Sequence, residues 1–226
     1  MTMVSCSLWS ADLARLADSA AQVQDMADAF HFKVMDGHFV RNFLFGPDTI
    51  RALRGQIQAP FLVHLMVERP AGYLEMFVAA GADYLIVHPE TCQDLAATVR
   101  EIKNLGARPG VALVPGMPIE AILPVLSELE LVVVLCVAPG YRNQPFVPSV
   151  LGKIRKLREL AESTGSPALF EADGAIRDQT VPELIEAGTD ILCCGSIVFR
   201  QPDPRAAIGR LKGLPPAPRA SLARRR

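Results

Sequence analysis

FLVHLMVERPAGYLEMFVAAGADYLIVHPETCQDLAATVREIKNLGARPGVAL, residues 61–113, contains two full periods of one pattern. A short β-rich apolar run (61–65) leads into a segment of helical period (70–80) and a Gly81-Ala82-Asp83 turn. A second run (84–87), a second helical segment (93–105) and a Gly106-Ala107 turn follow, and a third run begins at Arg108. Proline at a helix start loses no hydrogen bond, and glycine after the last turn accepts a left-handed cap. The pattern extends in both directions. Strands are predicted at 4–8, 29–34, 61–65, 84–87, 108–113, 131–137, 168–172 and 191–194. Helices are predicted at 12–26, 47–54, 70–80, 93–105, 119–128, 148–162, 179–187 and 204–212. Unbroken alternation requires a parallel sheet, open or closed, and eight units favour closure as a single (β/α)8 TIM barrel over residues 1–212. Residues 213–226, with Pro215, Pro216, Pro218 and four arginines, are expected to form a disordered tail.

Composition excludes several classes. Half of the 226 residues are apolar and 21% are charged, so a core is available and global disorder is not expected. The apolar run 131–138 is far shorter than the ~18 residues of a membrane span, and no leader pattern opens the chain. A net charge of −1 argues against nucleic acid or an anionic membrane as partner. Residues 1–212 carry 19 basic and 24 acidic side chains, a balance of −5. The five cysteines, Cys6, Cys92, Cys136, Cys193 and Cys194, are odd in number and lack a C-x-x-C spacing. Reduced thiols and a cytoplasmic location are expected. Leu74, Met76 and Phe77 suit core and subunit interface equally, so a homo-oligomer is among the expectations.

Chemistry in such a barrel belongs at the C-terminal ends of the strands. The period of two puts His31 and Lys33 on one face of 29–34, with Phe30, Phe32 and Val34 on the other. His64 points inward at the end of 61–65, Glu171 and Asp173 share a face, and so do Ser5 and Ser7. Histidine, lysine and aspartate are costly in an interior normally filled by Val, Ile and Leu, so their convergence marks a catalytic site. Asp36 orients His31 or Lys33, or caps the next loop. His38 is read as a rim residue and His88 as a loop anchor. Gly174, Ala175, Gly195 and Ser196 follow the last two strands, where backbone N–H groups can approach a phosphate, and Arg142 can add a charge-assisted bond.

The motifs Ser7-Leu8-Trp9-Ser10-Ala11-Asp12-Leu13, Val34-Met35-Asp36-Gly37-His38-Phe39-Val40, Val63-His64-Leu65-Met66-Val67, Pro139-Gly140, Asp173-Gly174 and Gly195-Ser196 carry a resemblance. Over about residues 4–210 the chain resembles the ribulose-phosphate 3-epimerase family. The resemblance implies a ketose-phosphate 3-epimerase in which two carboxylates exchange the C3 proton through an enediolate beside a divalent metal. It implies that His31, His64 and Asp173 match metal-site positions, with Asp173 also an acid/base. Ser7, Asp36 and Met66 are expected at the substrate, and Gly140, Tyr141, Arg142, Asn143, Gly174, Ala175, Gly195 and Ser196 at the phosphate.

One departure stands out. The family pattern His-x-Asp is His31-Phe32-Lys33 here, and an ammonium repels a divalent ion. The expectation is therefore no metal cofactor, the alternative being one Zn, Fe or Mn ion on His31, His64 and Asp173. The family's Gly-Gly in the loop after 131–137 is Arg142-Asn143, and its second glycine after Asp173 is Ala175. Three readings follow: an epimerase in which Lys33 and Asp173 move the proton, a Lys-dependent decarboxylase or lyase of a sugar-acid phosphate, or an inactive paralogue that binds sugar phosphate. His31-x-Lys33-x-x-Asp36 supports the second through its similarity to the Asp-x-Lys-x-x-Asp signature of related decarboxylases.

Overall fold

The computed structural model describes residues 2–216. Its strands are β1 (Met3–Ser7), β2 (Ala29–Asp36), β3 (Phe43–Leu44), β4 (Phe61–Met66), β5 (Tyr84–Val87), β6 (Arg108–Leu113), β7 (Leu131–Leu135), β8 (Leu169–Asp173) and β9 (Ile191–Cys194). All but β3 are parallel and run β1-β9-β8-β7-β6-β5-β4-β2, with β1 pairing β2 to close the ring. The result is the expected (β/α)8 barrel. Around it lie α1 (Leu16–Ala21), α2 (Pro47–Arg54), α3 (Leu74–Ala79), α4 (Leu95–Asn104), α5 (Val150–Thr164), α6 (Val181–Ala187), α7 (Ser196–Phe199) and α8 (Pro204–Lys212). No helix among the described residues is long and apolar enough to cross a membrane.

Three differences from the sequence reading have local causes. The segment predicted as one helix from Asp12 starts as a 3-10 turn, Leu13–Arg15, because the Asp12 carboxylate takes the Ala14 N–H at 3.0 Å. Residues Ile119–Glu128 form a 3-10 helix that contains Pro124, whose missing N–H and bulky ring prevent an α ladder. Beyond β2 the chain doubles back, and β3 pairs antiparallel with Met35 and Asp36, adding a flap at the mouth. At the C-terminus, Leu214 packs on the core and Pro215 accepts a hydrogen bond from Thr2 at 3.1 Å. Residues 217–226 of the expected tail lie outside the described residues.

Aspartates placed just before three strands tie neighbouring strands together. Asp28 takes the N–H of Val4 at 2.8 Å, Asp83 that of Phe61 at 2.7 Å and Asp190 that of Phe170 at 2.9 Å. Each carboxylate also meets a cation from an outer helix: Lys212, Arg54 and Arg158 respectively. The repeated device sets register at the end of the barrel remote from the chemistry. Between strands and helices sits the main core, where Phe30, Phe32, Phe61 and Phe170 are fully buried. The barrel interior divides differently. Ala29, Leu62, Ile86, Ala112, Leu131, Val133 and Ile191 form an apolar floor, and above it β1, β2, β4 and β8 make the interior polar.

Removing Asp190 would leave the Arg158 guanidinium and the Phe170 N–H without this carboxylate. Asp190→Ala should therefore cost about 3–5 kcal/mol in urea unfolding, the range for breaking a buried ion pair. Asp25→Ala, at the exposed Arg205 pair, should leave the midpoint unchanged. Equal midpoints for the two variants would contradict this account of the register device.

Candidate active site

The alternation predicted for β2 is observed: Phe30, Phe32 and Val34 join the outer core, while His31 and Lys33 enter the barrel. Pairing then fixes the neighbours. Ser7 lies opposite His31, Lys33 opposite His64, and Asp173 opposite Cys193. Lys33 and Asp173 meet across the mouth, with the lysine Nζ donating to Asp173 Oδ1 at 2.7 Å and both residues buried. Burial pulls the Lys33 ammonium down, but the charge and hydrogen bond of Asp173, together with Cys193 and Glu171, more than offset this and hold it above its usual range. Burial pushes Asp173 up, but Lys33 and His31 bring its carboxyl below the usual carboxylate range. Both directions describe an ionised pair.

A chain of buried polar groups runs beneath this pair. Ser5 donates to Glu171 Oε1, and His31 Nδ1 lies 3.2 Å from the same oxygen. His31 Nε2 meets His64 Nδ1 at 3.2 Å, and His64 Nε2 meets His88 Nε2 at 2.9 Å. Burial, then His88, His31 and Lys33, holds His64 well below the ordinary histidine range, so its imidazole is neutral near pH 7. His88 thus does more than anchor a loop, although its carbonyl does accept from Thr91 and Cys92.

The implied metal set can be tested on this geometry. The compact trio of donor atoms, all within 4.8 Å of one another, is His31, Asp173 and Cys193, with Cys193 in place of the expected His64. The His31 and His64 nitrogens that face each other are bonded together, and Asp173 Oδ1 is held by an ammonium. A divalent ion beside Lys33 would face a like charge, so these residues do not fit one.

Above the pair opens a cavity of about 100 Å³. Its walls include Ser7, Lys33, Tyr141, Arg142, Asn143, Asp173, Gly174, Ala175, Gly195 and Ser196, ten of the residues singled out from sequence. A Cβ on Gly195 would fall 2.5 Å from Ser10 Oγ, and one on Gly174 2.5 Å from Val137, where φ is +100°. Glycine at both positions keeps the backbone close to the cavity.

Other expected site residues are placed elsewhere. Asp36 caps the next loop, one of the two roles left open for it: Oδ1 takes the N–H groups of His38 and Phe39, at 2.9 and 3.2 Å, and Oδ2 takes that of Glu68 at 2.8 Å. Met66 packs with Met35, Val40 and Leu135 and does not line the cavity. Gly140 stays behind the wall, its carbonyl accepting from Asn42 at 2.8 Å. His31 and His64 lie below the cavity, fully buried. The sequence reading assigned no role to Trp9, Glu171, Cys193, Arg177 or Arg200, which the fold brings to this site from three separate segments, those around β1, β8 and β9. The shared inward face of Glu171 and Asp173 was a signal for the second of these. Nothing local marks the others.

A family model described as the ribulose-phosphate 3 epimerase family matches residues 3–199. The chain is 41% identical to a ribulose-phosphate 3-epimerase of Bacillus subtilis, covering 94% of this chain and 99% of that one. It is 34% identical to the Escherichia coli protein of that name, with 93% and 94% covered. Among solved structures it is similar to KGPDC from Streptococcus mutans, with TM-score 0.70, 14% identity and coverage of 94% and 96%. Orotidine 5'-phosphate decarboxylase from Pyrococcus horikoshii gives TM-score 0.66 at 18% identity, with 94% and 100% covered. At such identities these structures bear on the fold alone.

The paired charges should act as a unit. Lys33→Met strands a buried carboxylate and is expected to cost about 3–5 kcal/mol in urea unfolding. Lys33→Met with Asp173→Asn should cost less than the two singles added, by about 1–3 kcal/mol. Strict additivity would show that the pair is not coupled.

Proposed function

The chain belongs to the ribulose-phosphate 3-epimerase family, and on that premise we propose that it inverts its substrate with Lys33 and Asp173 as the two proton-transfer groups and with no divalent metal. It is an isomerase acting on a ketose phosphate at C3. The observation that carries the assignment of roles is the buried 2.7 Å contact between Lys33 and Asp173 at the cavity floor.

The Asp173 carboxylate, ionised and lining the cavity, removes the C3 proton, and the electron pair moves onto the C2 carbonyl oxygen as an enediolate. Lys33 supplies positive charge for that oxyanion at the floor of the cavity. Once the substrate has entered between the two groups and parted their contact, the ammonium returns a proton to C3 from the face opposite Asp173. Turnover leaves a neutral amine and a carboxylic acid, and their hydrogen-bonded contact in the empty site allows direct proton exchange back to the starting state. Ser7 and the backbone of Gly174, Ala175, Gly195 and Ser196 seat the substrate, its phosphate on the glycine side. The decarboxylase or lyase reading loses its support at Asp36, whose oxygens are committed to backbone N–H groups outside the cavity.

Incubation with ribulose 5-phosphate and ketohexose 6-phosphates in deuterated water should place deuterium at C3 of one of them. Lys33→Met and Asp173→Asn should each lower that exchange by at least about 10²-fold, the usual contribution of a general acid or base. No exchange with any ketose phosphate would overturn the epimerase assignment. The pH dependence follows from the two directions given above. Activity requires Asp173 ionised and Lys33 protonated, so it falls as pH drops through a depressed carboxyl value and as pH rises through an elevated ammonium value. The pair therefore adds no inflection between about pH 5 and 9 to kcat/KM, where the second phosphate ionisation near pH 6 remains. An enzyme inflection near 7 in kcat/KM would refute this assignment.

A further inference from the structure

The cavity is far more basic than the body around it. Its walls carry four cations, Lys33, Arg142, Arg177 and Arg200, and one carboxylate, Asp173, which Lys33 already engages. Three guanidinium groups therefore converge on one opening of a body whose residues 1–212 sum to −5. None of the three has a salt-bridge partner among the described residues, whereas Arg51, Arg54, Arg158, Arg205 and Arg210 each pair with an aspartate. Arg142 instead donates to the Trp9 backbone carbonyl and lies over the indole ring at 5.2 Å. The same ring sits 5.5 Å from Lys33 Nζ. The three arginines come from the segments after β7, β8 and β9, the last two of which also supply Gly174 and Gly195. Charge without counter-charge, gathered at the mouth of a small cavity, focuses the field on an incoming anion.

We propose that Arg142 and Arg200 are specificity-determining residues that grip the terminal phosphate of the substrate with guanidinium forks, and that Trp9 is the positioning residue that holds Arg142 in place. The inference rests on the ketose-phosphate reading and adds how that substrate is selected. A guanidinium matches phosphate bidentately, which a point charge does not. Trp9 joins the phosphate end of the cavity to Lys33, so one ring fixes the distance between the gripped phosphate and the carbon that loses its proton. Unphosphorylated ketoses forfeit this grip. Burial, and after it repulsion from Arg200, pulls the Arg142 guanidinium below its usual range, and a bound dianion would offset that repulsion.

Calorimetric titration of the full chain with inorganic phosphate tests this without relying on turnover. Arg142→Ala and Arg200→Ala should each weaken phosphate binding by about tenfold or more, and raised salt should weaken binding to the unaltered chain more than to either variant. Arg142→Lys should recover only part of the loss, because an ammonium is a point charge and lacks the planar fork that matches phosphate bidentately. Trp9→Leu should weaken phosphate binding and also raise KM for the ketose phosphate more than it lowers kcat. Phosphate affinity within twofold of the unaltered chain in both alanine variants would overturn the proposal. Intact C3 exchange with unaltered phosphate affinity would sink this inference alone. Phosphate binding that depends on both arginines, without C3 exchange on any ketose phosphate, would sink the epimerase reading and spare the grip.

Discussion

A lysine ammonium held 2.7 Å from an aspartate, both shut inside the mouth of a barrel, is the constraint around which the polar interior is arranged. At about 4 Å and an effective dielectric near 20, opposite charges attract by ~4 kcal/mol, enough to offset much of the cost of burying both. Remove Lys33 and a naked carboxylate remains beside Glu171, which is itself buried. The polar neighbours are consistent with this arrangement. Glu171 engages Ser5 and His31, and the neutral His64 imidazole beneath adds no positive charge to compete with Lys33 for Asp173.

The barrel makes this possible by dividing its interior. Floor residues such as Leu62, Ile86 and Val133 provide packing. Strands β1, β2, β4 and β8 can then carry serine, histidine, lysine and acid side chains without an apolar layer being lost. The strand-end aspartates fix the register of neighbouring strands, and register sets Lys33 beside His64 and Asp173 beside Cys193. Stability at one end of the barrel therefore sets the geometry of chemistry at the other.

Most of the barrel was legible because its signals are short-range. Strand alternation at Phe30-His31-Phe32-Lys33 and glycine turns such as Gly81 depend on neighbours a few residues away, and both were read correctly. Lys33, His31, His64 and Asp173 could be placed inward from parity alone, and all four are buried. Asp36 could not be settled, since capping and catalysis make the same local demand for a carboxylate after a strand. The flap closed by β3 was missed because two residues carry no periodicity. Arg200, Arg177 and Trp9 lie on loops or short turns, where no pattern in sequence states that three distant segments share one cavity.

The central claim is that a fixed ammonium occupies the electrostatic role that the family resemblance gives to a divalent metal. The most direct measurement is elemental analysis of the purified chain coupled to C3 exchange after exhaustive chelation. The account predicts less than about 0.1 metal ion per chain and exchange unchanged by the chelator, because the donor set around Lys33 binds a divalent cation poorly. Stoichiometric zinc, iron or manganese with exchange abolished by chelation and restored by that metal would contradict it, and would place Lys33 outside the site during turnover.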